Sequence, residues 1–368
     1  MEWNWQQKDW PKFTYNNFNL DVLEKEFLYQ SGIMSGTLVH LNDQDKQQMK
    51  IDIFSNEALK TSEIEGEYLN RDSLQSSIRK HFGLNTDARR IAPAEQGIAD
   101  MMIDLYKSFD KKLSHKTLNL WHKMLCTGRR DLNDIGKYRT HIEPMQVVSG
   151  PLHKPNIHFE APPSKQMKYE MDNYISWFKS SKDHTLPLTR ASIAHLYFVS
   201  IHPFEDGNGR VGRAIVEKSL AESLGHPTLI ALSCIIEKDK KSYYDALEKA
   251  NKKNEVTNWV LYFAQKILEA QKYTQNQIQF LISKTKFFDK FNNQLNERQK
   301  NVLLRMFKEG VNGFTGGLSA KNYCSISKIS SATASRDLRE LVNICALTKT
   351  GVLKHTRYFL KLPPLVSS

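Results

Sequence analysis

The sequence predicts a mainly α-helical protein, and three observations predict it. Apolar residues recur at helical spacing in one segment after another, strand-like alternation is confined to two short places, and the composition is that of an ordinary globular chain. The chain has 368 residues, 40% of them hydrophobic and 25% charged, with a mean hydropathy of -0.53, which excludes disorder, collagen-like repeats and a fibrous rod. The longest apolar stretch, Leu229 to Ile236, is far short of the roughly 20 residues a membrane-spanning helix needs. No membrane partner is therefore expected. The opening Met-Glu-Trp-Asn-Trp lacks the pattern of a secretory signal, and Cys126, Cys234, Cys324 and Cys345 lack metal-ligand spacing. The expectation is a reduced, cytoplasmic location without disulfides or zinc.

Residues 1–50 bring Trp3, Trp5, Trp10, Pro11 and Phe13 together ahead of a short periodic stretch, Leu20 to Tyr29. So many aromatics predict a segment that docks on the body. Residues 51–94 read as two helices: Ile51, Phe54, Ala58, Leu59 and Ile64 lie at helical spacing, Leu74 and Ile78 are four apart, and Gly66 and Asn70 interrupt. In 95–272, helical patterns cover Ala94–Phe109, Thr117–Leu125, Gln166–Phe178, Thr189–Ile201, Arg210–Leu224, Lys240–Asn251 and Val256–Gln271. Ile142 to Pro163 breaks the series, with Val147-Val148 and Ile157-His158-Phe159 around a Gly/Pro-rich turn, and predicts a β-hairpin.

Residues 273–368 begin with a Gln/Asn/Lys-rich linker and a new unit near Leu295. Glu297–Lys308, Ser319–Tyr323 and Ser331–Val342 read as helices, Ser325-Ile326-Ser327 as the turn between the last two, and Leu347–Thr350 with Val352–Leu360 as a hairpin. The order resembles a winged helix-turn-helix, with Thr333, Ser335, Arg336 and Arg339 on the outer face of the third helix. The net charge of +12 is concentrated here: 15 Lys and Arg against 5 Asp and Glu, while the first 272 residues are nearly balanced at 37 against 35. A basic module on a near-neutral body makes DNA an expected partner, with protein contact the alternative.

The chemistry concentrates in His202-Pro203-Phe204-Glu205-Asp206-Gly207-Asn208-Gly209-Arg210-Val211-Gly212-Arg213. A buried helix must end before Pro203, and a Gly-Asn-Gly loop opens the next one. Its glycines admit a ligand close to the backbone, and helix N-terminal N–H groups favour an anion such as phosphate. Arg210 and Arg213, three apart, reach the same polyphosphate. Asp206 beside that nest makes sense if Mg²⁺ lies between carboxylate and phosphate. His202 has the pKa of a base that works near neutrality.

These residues match the signature H-P-F-x-[DE]-G-N-G-R-x-x-R, and on them residues 95–270 resemble the Fic (filamentation induced by cAMP) family. The resemblance implies a helical catalytic domain that transfers AMP from ATP to a Ser, Thr or Tyr hydroxyl of a target protein. It implies His202 as base, Asp206 as the Mg²⁺ ligand, and Gly207, Asn208 and Gly209 as the anion hole. Arg210 and Arg213 would take the phosphates within a binding segment that includes Val211 and Gly212. Tyr243, Tyr244 and Asn251 resemble the nucleoside contacts. Ile157, His158, Phe159 and Glu160 resemble the flap that holds a target segment by strand addition. Thr61-Ser62-Glu63-Ile64-Glu65-Gly66 resembles an inhibitory motif, [ST]-x-x-x-E-[GN], whose Glu65 would pair with Arg213 and hold activity low. Self-modification and a homodimer are further expectations. The rival readings are removal of AMP, transfer of another nucleotide, and a DNA-binding regulator whose Fic domain senses nucleotide.

Overall fold

The computed structural model describes residues 2–39, 41–86, 90–151, 155–311 and 313–362. The tip of the expected Ile142–Pro163 hairpin, at 152–154, lies outside them, as do 363–368 at the end of the tail. The chain is mainly helical and divides into two compact units, Met1–Lys272 and Tyr273–Ser368.

The first unit holds α1 (Leu20–Val39), α2 (Asp43–Ile64), α3 (Arg71–His81), α4 (Pro93–Lys107) and α5 (His115–Leu125). A hairpin of β1 (Gln146–Ser149) and β2 (Asn156–Glu160) follows, then α6 (Met167–Ser180), α7 (Pro187–Ile201), α8 (Asn208–Leu224), α9 (Leu232–Lys238) and α10 (Lys240–Ala250). The 35-residue α11 (Thr257–Phe291) crosses the unit boundary. At the centre lies α7. Pro187 starts it where a missing N–H costs nothing, and every residue from Leu188 to Ile201 is buried. It packs along α8, whose Val211, Ile215, Val216 and Leu220 are buried too. Asn42 caps α2, accepting from the Asp45 N–H at 2.8 Å.

The hairpin is antiparallel, pairing Gln146 with Glu160 and Val147 with Phe159 before a bulge shifts the register to Val148–Ile157. Beneath it docks the aromatic N-terminus. Trp3 meets the Phe159 ring edge-on at 5.4 Å, and the Trp5 indole N–H donates to the Glu160 carbonyl at 2.6 Å. Asn4 bonds Ser200 Oγ through its side chain and the Asn251 carbonyl through its N–H.

In the second unit, α12 (Glu297–Lys308), α13 (Ala320–Ser327) and α14 (Ser331–Asn343) precede a hairpin of β3 (Leu347–Thr350) and β4 (Arg357–Leu360). Leu318 and Tyr358 exchange backbone hydrogen bonds of 2.9 Å, adding a bridge to β4. Phe287, Phe291, Val302, Leu303, Phe307, Leu338 and Leu341 form the core.

Five expectations need correction. The helix expected at Leu20–Tyr29 runs to Val39. The apolar run Leu229–Ile236 carries the unexpected α9, which starts because Glu57 accepts from the Ser233 N–H at 2.8 Å. The expected linker after Gln271 is helix, since Ile278, Phe287 and Phe291 recur on one buried face among the polar residues. Ser325–Ser327 belongs to α13, and the turn falls at Lys328, which takes φ +55. Strand β4 begins only at Arg357, behind a short 3-10 turn at Leu353–His355.

Candidate active site

The end of α7 places His202. Its N–H closes the helix on the Phe198 carbonyl at 3.0 Å, and the residue takes the left-handed conformation, φ +52, that turns the chain into Pro203. Imidazole Nδ1 lies 3.2 Å from the Val199 carbonyl. A carbonyl only accepts, so Nδ1 carries the proton and Nε2 is left as a free base. Burial lowers the His202 pKa to about 4; the Val199 bond works against this and the Arg139 charge adds to it.

Arg139, which sequence spacing gave no reason to select, fixes this end of α7. Its buried guanidinium donates from Nε to the His202 carbonyl at 2.8 Å and from one terminal nitrogen to the Pro162 carbonyl at 2.5 Å, just beyond the hairpin. The other terminal nitrogen reaches Ser164 Oγ at 2.8 Å. A cation at the carbonyl end of a helix is favourably placed. Phe204 is fully buried and stacks on His122 at 4.1 Å, which anchors the loop in the core.

Gly207 at φ +79 turns the loop into α8. The Asn208 side chain does not line the anion hole as expected. Its Oδ1 accepts from the Phe204 N–H at 3.0 Å and its Nδ2 donates to the Phe204 carbonyl at 2.7 Å, clamping the loop shut. What faces the mouth of α8 is backbone, and Glu65 fills it: a Cβ on Gly209 would stand 2.1 Å from Glu65 Oε1. Arg213 donates to Glu65 Oε1 at 2.7 Å, to Thr61 Oγ1 at 2.7 Å and to the Thr61 carbonyl at 2.9 Å. Burial acts to lower the Arg213 pKa, but the Glu65 charge outweighs it and the guanidinium is held above its ordinary value. Arg210 donates to Glu67 at 2.5 Å and lies 3.5 Å from Asp206, and its Nε is buried without a partner.

Asp206 accepts from Arg129 at 2.7 Å and from the Gly207 N–H at 2.6 Å. Burial acts to raise its pKa, but Arg210, Arg129 and that N–H prevail, so the carboxyl sits below its ordinary value and is ionised. Among the described residues no group of three or more His, Cys, Asp or Glu side chains is placed to hold a metal ion. One ionised, half-exposed carboxylate beside an anion nest nevertheless suits Mg²⁺, which takes one or two carboxylates and completes its shell with phosphate oxygens and water.

Four other expected site residues are tied into the helix packing. Val211 is fully buried and Gly212 packs on the His195 ring, so what their side-chain positions serve is the α7–α8 contact. Tyr243 is buried with its hydroxyl 2.7 Å from His195 Nε2, and Asn251 closes α10 with its side chain on Ser200 Oγ. The Tyr243 hydroxyl also interacts with Arg213 from beneath the site, and Tyr244 lies at its rim, its hydroxyl 3.4 Å from Glu65 Oε2. In the hairpin, Phe159 is buried on Trp3, Ile157 is exposed, Glu160 bonds Gln146, and His158 bonds Ser149 and Glu248. Sequence reasoning does not find Glu67, Arg129 or Arg139. For Glu67 a signal exists, since it flanks Gly66 as Glu65 does.

This is a helical fold with an imidazole at one helix end and a glycine-flanked N-terminus at the start of the next, and the comparisons agree with the fold. Residues 112–220 match the Fic/DOC family and are a Fic domain, while residues 3–84 match a domain of unknown function, DUF4172. The protein named "Protein adenylyltransferase Fic" of Aedes aegypti is 30% identical over 115 residues, 30% of this chain and 22% of that protein. Its namesake in Drosophila mojavensis is 29% identical over 144 residues, 39% of this chain and 28% of that protein. The chain thus spans less than a third of these relatives. Among solved structures, a Fic family protein from Desulfovibrio desulfuricans G20 superposes with a TM-score of 0.54 at 18% identity, covering 95% of this chain and 98% of that one. A Fic domain containing signaling protein from Bacteroides thetaiotaomicron VPI-5482 superposes at 0.53, also at 18% identity, over 71% and 97%. These two show a shared fold.

Proposed function

We propose that this protein transfers AMP from ATP to a Ser, Thr or Tyr hydroxyl of a protein target, and that Glu65 holds the transfer low at rest. One observation carries the reading: an imidazole with a free Nε2 stands at the end of α7, next to a helix N-terminus that faces two arginines and is filled by a carboxylate. A base beside an anion site is what hydroxyl attack on a phosphate requires.

The acceptor hydroxyl gives its proton to His202 Nε2 as its oxygen bonds the α-phosphorus. The bond from that phosphorus to the β-phosphate oxygen breaks, and pyrophosphate leaves. The mouth of α8, Arg210 and Arg213 hold the phosphates, Tyr244 lies on the nucleoside side, and the free edge of the hairpin takes the target segment. Asp206 would hold Mg²⁺, which supplies charge neutralisation to the leaving phosphates. With Glu65 on Arg213, that arginine is not available to them.

The test is incorporation of label from α-labelled ATP, read first as self-modification. Glu65→Gly should raise incorporation well above wild type, Arg213→Ala should cancel the gain, and His202→Ala should lower it by about 10²- to 10⁴-fold with ATP binding retained. Equal incorporation by wild type and Glu65→Gly would overturn the inhibitory role. Release of AMP from a modified target, or label from another nucleotide, would redirect the reading to the rival chemistries on the same site.

A further inference from the structure

The turn that ends α2 carries two carboxylates, and both meet the arginines of α8. Its backbone explains how. The Gly66 N–H bonds the Glu63 carbonyl and the Glu67 N–H bonds the Ser62 carbonyl, each at 3.0 Å, with Gly66 left-handed at φ +84. This is the paired closure of a Schellman motif. It reverses the chain between Glu65 and Glu67, so that residues two apart both reach α8: Glu65 bonds Arg213 at 2.7 Å and Glu67 bonds Arg210 at 2.5 Å.

The pair at Arg210 is not an ordinary surface bridge. The Arg210 side chain is 5% exposed, its Nε has no partner, and Asp206 at 3.5 Å is a distant second acceptor. A buried guanidinium with one close counter-ion holds it firmly, because releasing that ion leaves only the longer Asp206 contact to balance a buried charge. We propose that Glu67 is a second, separate half of the lock. The two carboxylates together imitate two phosphate groups, and the site opens only to a ligand that offers phosphate to both arginines. This rests on reading the mouth of α8 as the nucleotide phosphate site. It adds a ligand class: polyphosphates compete with the turn, whereas a monophosphate leaves at least one carboxylate seated.

The experiment is calorimetric titration of the full chain with pyrophosphate, ATP and AMP, for wild type, Glu67→Gln, Glu65→Gln and the double variant. Glu63→Gln is the control, because Glu63 sits on the same helix, pairs with Lys60 at 2.5 Å and loses the same charge. Glu67 is one-third exposed, and a thermal melt verifies folding. Glu67→Gln should tighten pyrophosphate and ATP about tenfold, as expected for losing one charge-assisted competitor. AMP affinity should stay within about twofold, and Glu63→Gln should change nothing. Equal gains from Glu67→Gln and Glu63→Gln would overturn the second lock, because the effect would then be diffuse charge. If Glu67→Gln tightens pyrophosphate while no variant binds ATP, the lock stands and the nucleotide reading falls.

Discussion

His202 sits at a strained backbone position, φ +52, and the bonds from Arg139 to its carbonyl and to that of Pro162 hold it there. With its pKa lowered to about 4, the imidazole is a base above that value and is lost to protonation as pH falls through it. Glu65 pulls the same pKa upward, so its removal moves the loss lower still. Transfer by Glu65→Gly should therefore hold level from pH 8 to about 5, and Arg139→Gln added to it should shift the acid limb upward, because a cation that disfavours imidazolium is gone. A pH–rate profile of label incorporation checks both; an acid limb near the ordinary histidine value of about 6.5 in the parent variant would contradict the burial argument. The contiguous motif is legible because it needs no folding to be seen. Arg139 is not, since it arrives from 63 positions away with no spacing to betray it. The burial of Tyr243 under His195 and the bond from Ser200 to Asn251 are not legible either, since each partner lies on another helix.

At the scale of elements, α2 matters through its last turn. Gly66 sits at φ +84 with open space for 4 Å around the place a Cβ would take, so Gly66→Ala meets no clash and costs only backbone strain, about 1 kcal/mol. That strain falls on the geometry that aims Glu65 and Glu67. The variant should melt a few degrees lower and incorporate more label than wild type, short of Glu65→Gly, as measured by melting and incorporation on one preparation. Unchanged incorporation with a lowered melting temperature would mean that the turn's shape does not set the lock. Most helices are legible from apolar periodicity, whereas α9 and the extension of α11 are not. A seven-residue helix is too short to display a period, and its start depends on Glu57 from another helix. In residues 272–291 the eight apolar positions are matched by eight Gln, Asn and Lys, which helices tolerate well on a solvated face.

For the whole molecule, charge separates a near-neutral first unit from a basic second unit. On α14, Ser335, Arg336 and Arg339 are exposed while Ala334, Leu338 and Leu341 are buried, and this outer face is our proposed DNA contact. Replacing Arg336 and Arg339 with Ala in the full chain should weaken duplex binding at low salt and lower the slope of log K against log salt by about two. No binding by wild type at low salt would favour a protein partner instead. The lock we propose lies wholly within the first unit, since α2 and α8 belong to one compact body. Its effective concentration is therefore set by the fold and does not fall on dilution. At a fixed ATP level a lock of this kind would leave the same fraction of sites open in a crowded sample as in a sparse one, so the ambient polyphosphate level would be the variable that the lock itself reads.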